Sequence, residues 1–196
     1  MDTPQVSKEE TAELLRLAET TLKNGISGDW TEFGCYRGAT SVLFGGLLRA
    51  QNSDKKLYLY DSFAGLPDKT SEDSSSVGDA FKAGELFVTK REVLDRFRRQ
   101  NLPLPIIKKA FFSDLDPSRD VPEKISFAFL DGDLYSSIKT SLALTAPRLN
   151  RQGIIVIHDY NNPSLPGSAR AVDEFLHVHK NFRLRIFRSL AVLTHI

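Results

Sequence analysis

Two aspartates one residue apart follow a short apolar run in FLDGDLYSS, residues 129–137. A carboxylate can bind a cation or accept a proton, so Asp131 and Asp133 are candidates for chemistry. They are also ordinary turn and helix-capping residues, because Asp and Gly are favoured in both places. Which of these uses applies depends on the other residues that the fold brings to the same place.

A loop with two glycines is the second candidate. The sequence EFGCYRG, residues 32–38, follows a strand-like segment, and its glycines permit a tight turn and a close approach of a ligand to backbone N–H groups. Asp61 ends the next strand-like segment, 23 residues after Gly38. This is near the spacing at which an acidic side chain accepts hydrogen bonds from a ribose diol. The two loops together predict a cofactor that contains adenosine.

Strand-like segments alternate with helical ones, which predicts parallel βαβ units in an α/β fold. The predicted strands are 29–35, 56–62, 105–112, 124–131 and 153–160, and the predicted helices are 7–23, 38–51, 91–101, 136–149 and 168–180. The tail, 181–196, holds two more β-type segments joined at Arg188–Ser189, which should pair antiparallel because parallel neighbours need a long crossover. Open α/β sheets bind ligands at the carboxyl ends of their strands, where the glycine loop and the acids fall.

Length and composition fit a single domain over residues 1–196, with 41% apolar and 26% charged residues. The net charge of +1 gives no electrostatic reason to expect a nucleic acid or an anionic membrane surface as partner. The single cysteine, Cys35, excludes an internal disulfide framework, fits a reducing compartment, and is expected to be a small buried residue rather than a nucleophile. The polar N-terminus and the lack of an apolar run of about 18 residues predict neither a signal peptide nor a membrane span, so we expect a cytoplasmic protein.

The glycine loop narrows the choice of cofactor. A nicotinamide enzyme would normally show G-x-G-x-x-G, whereas this loop is E-x-G-x-x-x-G, and GATS lacks the Gly-Lys pair of a phosphate-binding P-loop. An NAD(P)-dependent oxidoreductase therefore stays as the weaker alternative. A seven-stranded, mostly parallel sheet that closes with an antiparallel strand pair resembles the class I S-adenosylmethionine-dependent methyltransferases, which have a three-layer Rossmann-like fold.

Four blocks of sequence make the resemblance more specific. TEFGCYRGATSVLFGGLL, LYDSFAGLP, FLDGDLYSS and HDYNNPSLPGSARAVDEF together resemble the macrocin O-methyltransferase (TylF-like) family, whose members methylate hydroxyls of sugars on natural products. The blocks stand in the family's order and span most of residues 28–180. The resemblance implies a divalent-metal-assisted methyl transfer from S-adenosylmethionine to a hydroxyl of a sugar moiety or other secondary metabolite. The expected partners are this small acceptor and, in a homodimer, a second copy of the chain, with no nucleic acid and no membrane.

The resemblance also implies roles for single residues. Asp131, His158 and Asp159 would lie at the metal, expected to be Mg²⁺ or Mn²⁺, and Asp133 would be the general base that acts with Asp131 in catalysis. The cofactor would be contacted by Glu32, Gly34, Tyr36, Gly38, Thr40, Ser41, Asp61, Ser62, Phe63 and Asp131. Three further residues could line the acceptor pocket, or could equally be rim packing and a solvated charge: Tyr135, Tyr160 and Arg170.

His158 departs from the family pattern, in which two acids commonly precede the tyrosine after the fifth strand. Carboxylates suit Mg²⁺, but an imidazole nitrogen moves the preference toward Mn²⁺, Fe²⁺ or Zn²⁺. Consecutive strand residues face opposite sides, so His158 and Asp159 can serve one ion only if the strand has ended there. Otherwise His158 points into the sheet and only Asp131 and Asp159 ligate, or the chain is a cofactor-binding module that has lost catalysis.

One stretch, 68–85, breaks the alternation of strands and helices. It is rich in Ser, Asp and Gly and shows no steady period. It is therefore either a disordered connection or a mobile lid, and lids are commonest beside active sites.

Overall fold

Seven strands form one sheet, which the computed structural model places between two layers of helices. The structure describes residues 5–78 and 80–196, so residues 1–4 of the predicted leading region and Asp79 of the stretch 68–85 lie outside the described residues. The strands are β1 (Asp29–Phe33), β2 (Leu57–Asp61), β3 (Ile106–Lys109), β4 (Ile125–Leu130), β5 (Leu149–Ile157), β6 (Phe182–Phe187) and β7 (Leu190–His195). The helices are α1 (Lys8–Lys23), α2 (Ala39–Ala50), α3 (Lys90–Arg99), α4 (Pro117–Asp120), α5 (Tyr135–Thr145) and α6 (Pro166–Val178). None of the described helices is long and apolar enough to cross a membrane.

The strands lie in the order β3-β2-β1-β4-β5-β7-β6. The first five are mutually parallel, and β7 runs antiparallel to both β5 and β6. The turn at Arg188–Ser189 is too short for a crossover, so β6 and β7 form a hairpin. The predicted seven-stranded sheet with a closing antiparallel pair is confirmed.

Alternate residues of the central strands pack on opposite faces of the sheet. On one face Trp30 and Phe127 pack with Phe44 of α2 among residues of α1 and α3. On the other face Ile157 and Ala128 pack among residues of α5 and α6. Because β1 and β4 are buried on both faces, they hold the loops at their carboxyl ends in fixed positions.

Strand β5 ends earlier than its sequence suggests. The predicted strand continued to Tyr160, but β5 stops at Ile157 and Asp159 adopts a left-handed conformation with φ +60°. His158, Asp159 and Tyr160 therefore lie in a loop. The apolar run continues through Ile157 and then changes to polar residues, which is where the ladder ends.

The short helix α4 is missing from the sequence-based assignment. It begins after Asp116, whose side chain accepts a hydrogen bond from Ser118 N–H at 2.9 Å, and it has proline at its first position. Both are ordinary signals for a helix start. With only four residues, α4 is too short to show helical periodicity.

Helix α1 begins with the capping box that Ser7 and Glu10, three residues apart, indicate in the sequence. Ser7 Oγ accepts a hydrogen bond from Glu10 N–H at 3.3 Å, and Glu10 Oε2 accepts from Ser7 N–H at 3.2 Å. The other carboxylate oxygen of Glu10 accepts from Ser189 N–H at 3.0 Å and Ser189 Oγ at 2.6 Å, in the β6–β7 turn. The start of α1 is thus tied to the last hairpin of the chain.

Candidate active site

The loops after β1, β2, β4 and β5 meet at the carboxyl edge of the sheet and line a cavity of about 210 Å³. A second cavity of about 320 Å³ lies toward α2 and shares Gly34, Tyr36 and Asp131 with the first. The first cavity carries one imidazole and four carboxyls, those of His158, Asp61, Asp131, Asp133 and Asp159. Acids that are far apart in the sequence therefore come together in one space.

Gly34 allows the first of these loops to touch the third. Its φ is +85°, and a Cβ on residue 34 would overlap the backbone carbonyl oxygen of Asp131. Any larger residue would push the two loops apart. Gly34 is thus required for the close approach of the loops that follow β1 and β4, and its contact with the cofactor stays a prediction.

Asp61 joins the loops after β1 and β2. Its Oδ2 accepts a hydrogen bond from Tyr36 N–H at 2.9 Å, and its Oδ1 accepts from Phe63 N–H at 2.8 Å. Burial raises the pKa of Asp61 despite these bonds. Each carboxylate oxygen has a second lone pair, and Asp61 lines the first cavity, so it can accept hydrogen bonds from a diol there.

Glu32 lies behind the glycine loop rather than in either cavity. It is fully buried, and it accepts hydrogen bonds from the hydroxyls of Thr40 and Ser41 at the start of α2. Burial raises the pKa of Glu32 to about 8 although both hydroxyls oppose this shift. Among these three residues Thr40 lines the second cavity, so Glu32 is linked to that cavity through Thr40.

Asp131, His158 and Asp159, which we call the acid–histidine group, line part of the first cavity. His158 Nδ1 lies 2.8 Å from Asp131 Oδ1 and 3.1 Å from Asp159 Oδ2. The three side chains each offer a ligand atom, and these atoms lie within 4.8 Å of one another. Because β5 ends at Ile157, His158 and Asp159 face the same space, as binding of one ion by both requires. One nitrogen and two carboxylate oxygens are a donor set that fits a divalent cation.

The electrostatics of this group favour a positive charge in it. Burial alone would lower the pKa of His158, but the carboxylates of Asp131 and Asp159 outweigh burial and raise it to about 11. Burial raises the pKa of Asp131, and His158 opposes that shift. A protonated imidazole would offset only one of the two carboxylate charges, whereas a divalent cation in the same place would offset both.

Each of the loops after β1, β2, β4 and β5 contains a residue with a strained backbone. Tyr36, Phe63, Asp133 and Asp159 all have positive φ, between +43° and +60°, and each follows the end of a strand by two or three residues. Such a conformation costs roughly 1–3 kcal/mol per residue and occurs mostly where a side chain must be placed for function. Tyr36, Asp133 and Asp159 line the first cavity. Burial raises the pKa of Asp133 well above its usual value, and Asp131 adds to the shift.

The remaining predicted residues differ in whether they line one of the two cavities. Ser62 lines the first cavity and Cys35 the second, whereas Phe63 is buried and lines neither. Burial raises the pKa of the Cys35 thiol. The hydroxyls of Tyr135 and Tyr160 donate to Glu174 and Asp173 of α6 at 2.6 and 2.7 Å. Three predicted acceptor-binding residues are absent from the described linings of both cavities and stay predictions: Tyr135, Tyr160 and Arg170.

Several lining residues were not predicted from the sequence. Asn162 donates to Asp159 Oδ1 at 2.9 Å and so orients that acid. Phe111 and Phe112 follow β3 at the same edge of the sheet, a position that could have identified them. Four more come from the unpatterned region between β2 and α3, where no periodic signal exists: Leu66, Pro67, Phe81 and Leu86.

Comparisons with known proteins agree with this arrangement. Residues 3–184 match the family described as Macrocin-O-methyltransferase (TylF). The chain is 31% identical over 165 residues to a demethyldecarbamoylnovobiocin O-methyltransferase of Streptomyces niveus, covering 80% of this chain and 61% of that protein. It is 32% identical over 149 residues to a Streptomyces olivaceus 4'-O-methyltransferase of a dimethoxyrhamnosyl tetracenomycin, covering 72% of this chain and 56% of that protein.

A solved structure extends the likeness to the whole fold. The O-methyltransferase NovP superposes with a TM-score of 0.82 at 26% identity, over 94% of this chain and 78% of NovP. By contrast, the chain spans only 56% to 61% of the length of the two Streptomyces relatives. On the family match over residues 3–184, the chain belongs to the macrocin-O-methyltransferase (TylF) family.

Proposed function

We propose that the chain is an S-adenosylmethionine-dependent O-methyltransferase that acts on a hydroxyl of a small molecule, such as a sugar moiety of a natural product. The observation that carries this proposal is that one cavity joins Asp61, suited to a ribose diol, with the group Asp131, His158 and Asp159. The names of the two Streptomyces relatives support the reaction class and the kind of acceptor.

The two cavities, which share lining residues, provide room for the cofactor along the glycine loop. In the proposed complex Asp61 holds the ribose in the first cavity, and the backbone around Gly34 and Tyr36 adjoins the amino-acid end in the second. The four carboxyls of the first cavity create a negative field when ionised, and a cationic ligand would stabilise that form against the rise in pKa that burial causes at Asp61, Asp131 and Asp133. S-Adenosylmethionine supplies the activated methyl group on a positively charged sulfur, which matches this field.

The acceptor hydroxyl needs both placement and loss of a proton. Much of the catalysis in a single in-line displacement comes from holding the acceptor oxygen against the methyl carbon. Asp133 is the proposed base, because it lines the cavity two residues from Asp131 and its raised pKa makes its ionised form a stronger base than an ordinary carboxylate. The backbone strain at Asp133 then serves to direct its side chain toward the acceptor.

Asp131, His158 and Asp159 would hold a divalent cation, with Asn162 orienting Asp159. A bound cation would lower the pKa of an acceptor hydroxyl and fix its position. The nitrogen of His158 favours Mn²⁺, Fe²⁺ or Zn²⁺ more than an all-carboxylate set would.

The test is methyl transfer by the full chain to demethyldecarbamoylnovobiocin, free L-rhamnose and catechol, each with Mg²⁺, Mn²⁺ or excess chelator. We expect a methylated product from at least one acceptor and a rate that falls with chelator. Product formation that is indifferent to chelator would contradict the metal-assisted part of the proposal. Binding of S-adenosylhomocysteine without product from any acceptor or metal would instead support an inactive cofactor-binding module.

A further inference from the structure

The segment between β2 and α3 is closed at its base. Leu66 N–H donates to Glu85 O at 2.8 Å, and Gly84 N–H donates to Leu66 O at 2.9 Å. The described residues of 66–86, which we call the wall segment, therefore leave and rejoin the fold at one place. Within it the structure describes one short 3-10 helix, Ser71–Asp73, and no longer helix or strand among the described residues.

The wall segment presents apolar side chains to the first cavity: Leu66, Pro67, Phe81 and Leu86. Phe81 and Leu86 both have φ +62°, a conformation that bulky residues rarely adopt. The cost of this strain must be offset by contacts elsewhere in the segment.

Asp73 is the buried anchor of the wall segment, with only 1% of its surface exposed. Its Oδ2 accepts hydrogen bonds from Thr70 N–H and Thr70 Oγ1, both at 2.9 Å. Its Oδ1 accepts from Tyr135 N–H at 2.7 Å. Tyr135 begins α5, and the N-cap residue Leu134 makes no side-chain capping bond. Asp73 thus caps α5 from a distant part of the chain, with its charge at the positive end of the helix.

Helix α6 leaves space for this contact. A Cβ on residue 167 would overlap Asp73 Oδ1, so glycine at this position makes room for the carboxylate. Nearby, Ser75 Oγ donates to Pro163 O at 2.8 Å in the loop before α6. The wall segment is therefore held against both helices that follow the acidic loops of the site.

We propose that Asp73 is a positioning residue for methyl transfer: by capping α5 it holds the wall segment closed, so that Phe81 and Leu86 stay in the wall of the first cavity, where the acceptor would meet Asp133. Asp73 is absent from the described linings of both cavities, so it acts through the wall segment and not by touching substrate. A closed apolar wall excludes water and restricts the orientation of the acceptor. The kinetic part of this inference rests on the proposed function, and the structural part does not.

The experiment compares Asp73→Ala with Asp68→Ala, which removes an equal charge from an exposed position of the same segment. In Asp73→Ala, hydrogen–deuterium exchange at Tyr135 and in peptides covering 76–86 should become about tenfold faster, as expected for loss of a hydrogen bond to a charged group. The KM for an acceptor that the wild type methylates should rise by a similar factor. The Kd for S-adenosylhomocysteine should change less, within about threefold, because Asp61, the proposed ribose contact, lies outside the wall segment and is held by Tyr36 and Phe63. Asp68→Ala should behave as the wild type.

Two further variants keep the test decisive if Asp73→Ala folds poorly. Asp73→Asn retains an oxygen for Tyr135 N–H and should recover most of the lost protection, and Gly167→Ala should loosen the same contact from α6. Unchanged exchange in Asp73→Ala would overturn the inference, and so would faster exchange with an unchanged KM. If the wild type methylates no acceptor, the proposed function fails, and the exchange comparison still decides whether Asp73 holds the wall segment.

Discussion

His158 is the residue whose replacement says most about the acid–histidine group, because its ring nitrogen contacts both Asp131 and Asp159. We expect the wild type to prefer Mn²⁺ over Mg²⁺, and His158→Asp to move the ratio of rates toward Mg²⁺ by about tenfold, since oxygen ligands suit Mg²⁺. Initial rates across titrations with each metal measure this ratio. His177→Asp, at an exposed position of α6, is the matched control. A ratio unchanged in His158→Asp would remove His158 from the metal site.

Replacing Asp131 should abolish metal binding, whereas replacing Asp133 should lower only the rate of methyl transfer. Asp131→Ala should lose Mn²⁺ binding and turnover, while the Kd for S-adenosylhomocysteine changes only a few-fold. Asp133→Asn should keep Mn²⁺ binding but lower kcat by roughly 10²–10⁴-fold, the usual contribution of a general base. Electron paramagnetic resonance of Mn²⁺ and calorimetry of the cofactor product separate the two effects. Loss of cofactor affinity in Asp131→Ala would show that the proposed division of roles is wrong.

At the scale of elements, Glu10 joins the start of α1 to the β6–β7 turn, and Ser189 O in that turn accepts from Tyr160 N–H at 2.8 Å. Burial would raise the pKa of Glu10, but hydrogen bonds from Ser189 and Ser7 outweigh it and hold the pKa at about 2, below its usual 4.5. A carboxyl whose pKa is lowered by folding stabilises the fold above its unfolded pKa. That contribution is lost as the pH falls from about 4.5 toward 2.

Glu10→Gln should therefore lower the Tm at pH 7, and the difference from the wild type should shrink as the pH falls through this window. Thermal unfolding followed by circular dichroism between pH 7 and pH 2.5 measures it. Glu9→Gln, in the same turn but exposed, is the control for the general effect of removing an acid. A difference in Tm that is constant with pH would contradict the account of Glu10.

The sequence identified the elements whose signals are local. The α1 capping box needs only Ser7 and Glu10, three residues apart, and the strand-end loops follow from the alternation of apolar runs with polar stops. The cap on α5 could not be predicted, because Asp73 and Tyr135 lie 62 residues apart and meet only in the folded chain. The contact between Tyr160 and Asp173 could not be predicted either, because the residue type of a tyrosine does not say where its hydroxyl points.

At the scale of the whole molecule, charge is distributed unevenly. The chain carries a net charge of only +1, yet four carboxyls and one imidazole line a single cavity. Net charge therefore said nothing about the ligand, whereas the local field of the cavity favours a cation. A dinucleotide, with its two negatively charged phosphates, would be repelled by this concentration of acids.

Calorimetric titration of the full chain with S-adenosylhomocysteine and, separately, with NADH is the most direct test of the central claim. Because Asp61, Gly34 and Asp131 line one cavity, we expect a micromolar or tighter Kd for S-adenosylhomocysteine and no measurable binding of NADH. Asp61→Ala should weaken the former by roughly tenfold or more, because it removes charged hydrogen bonds. Micromolar binding of NADH without binding of S-adenosylhomocysteine would contradict the account and favour an oxidoreductase.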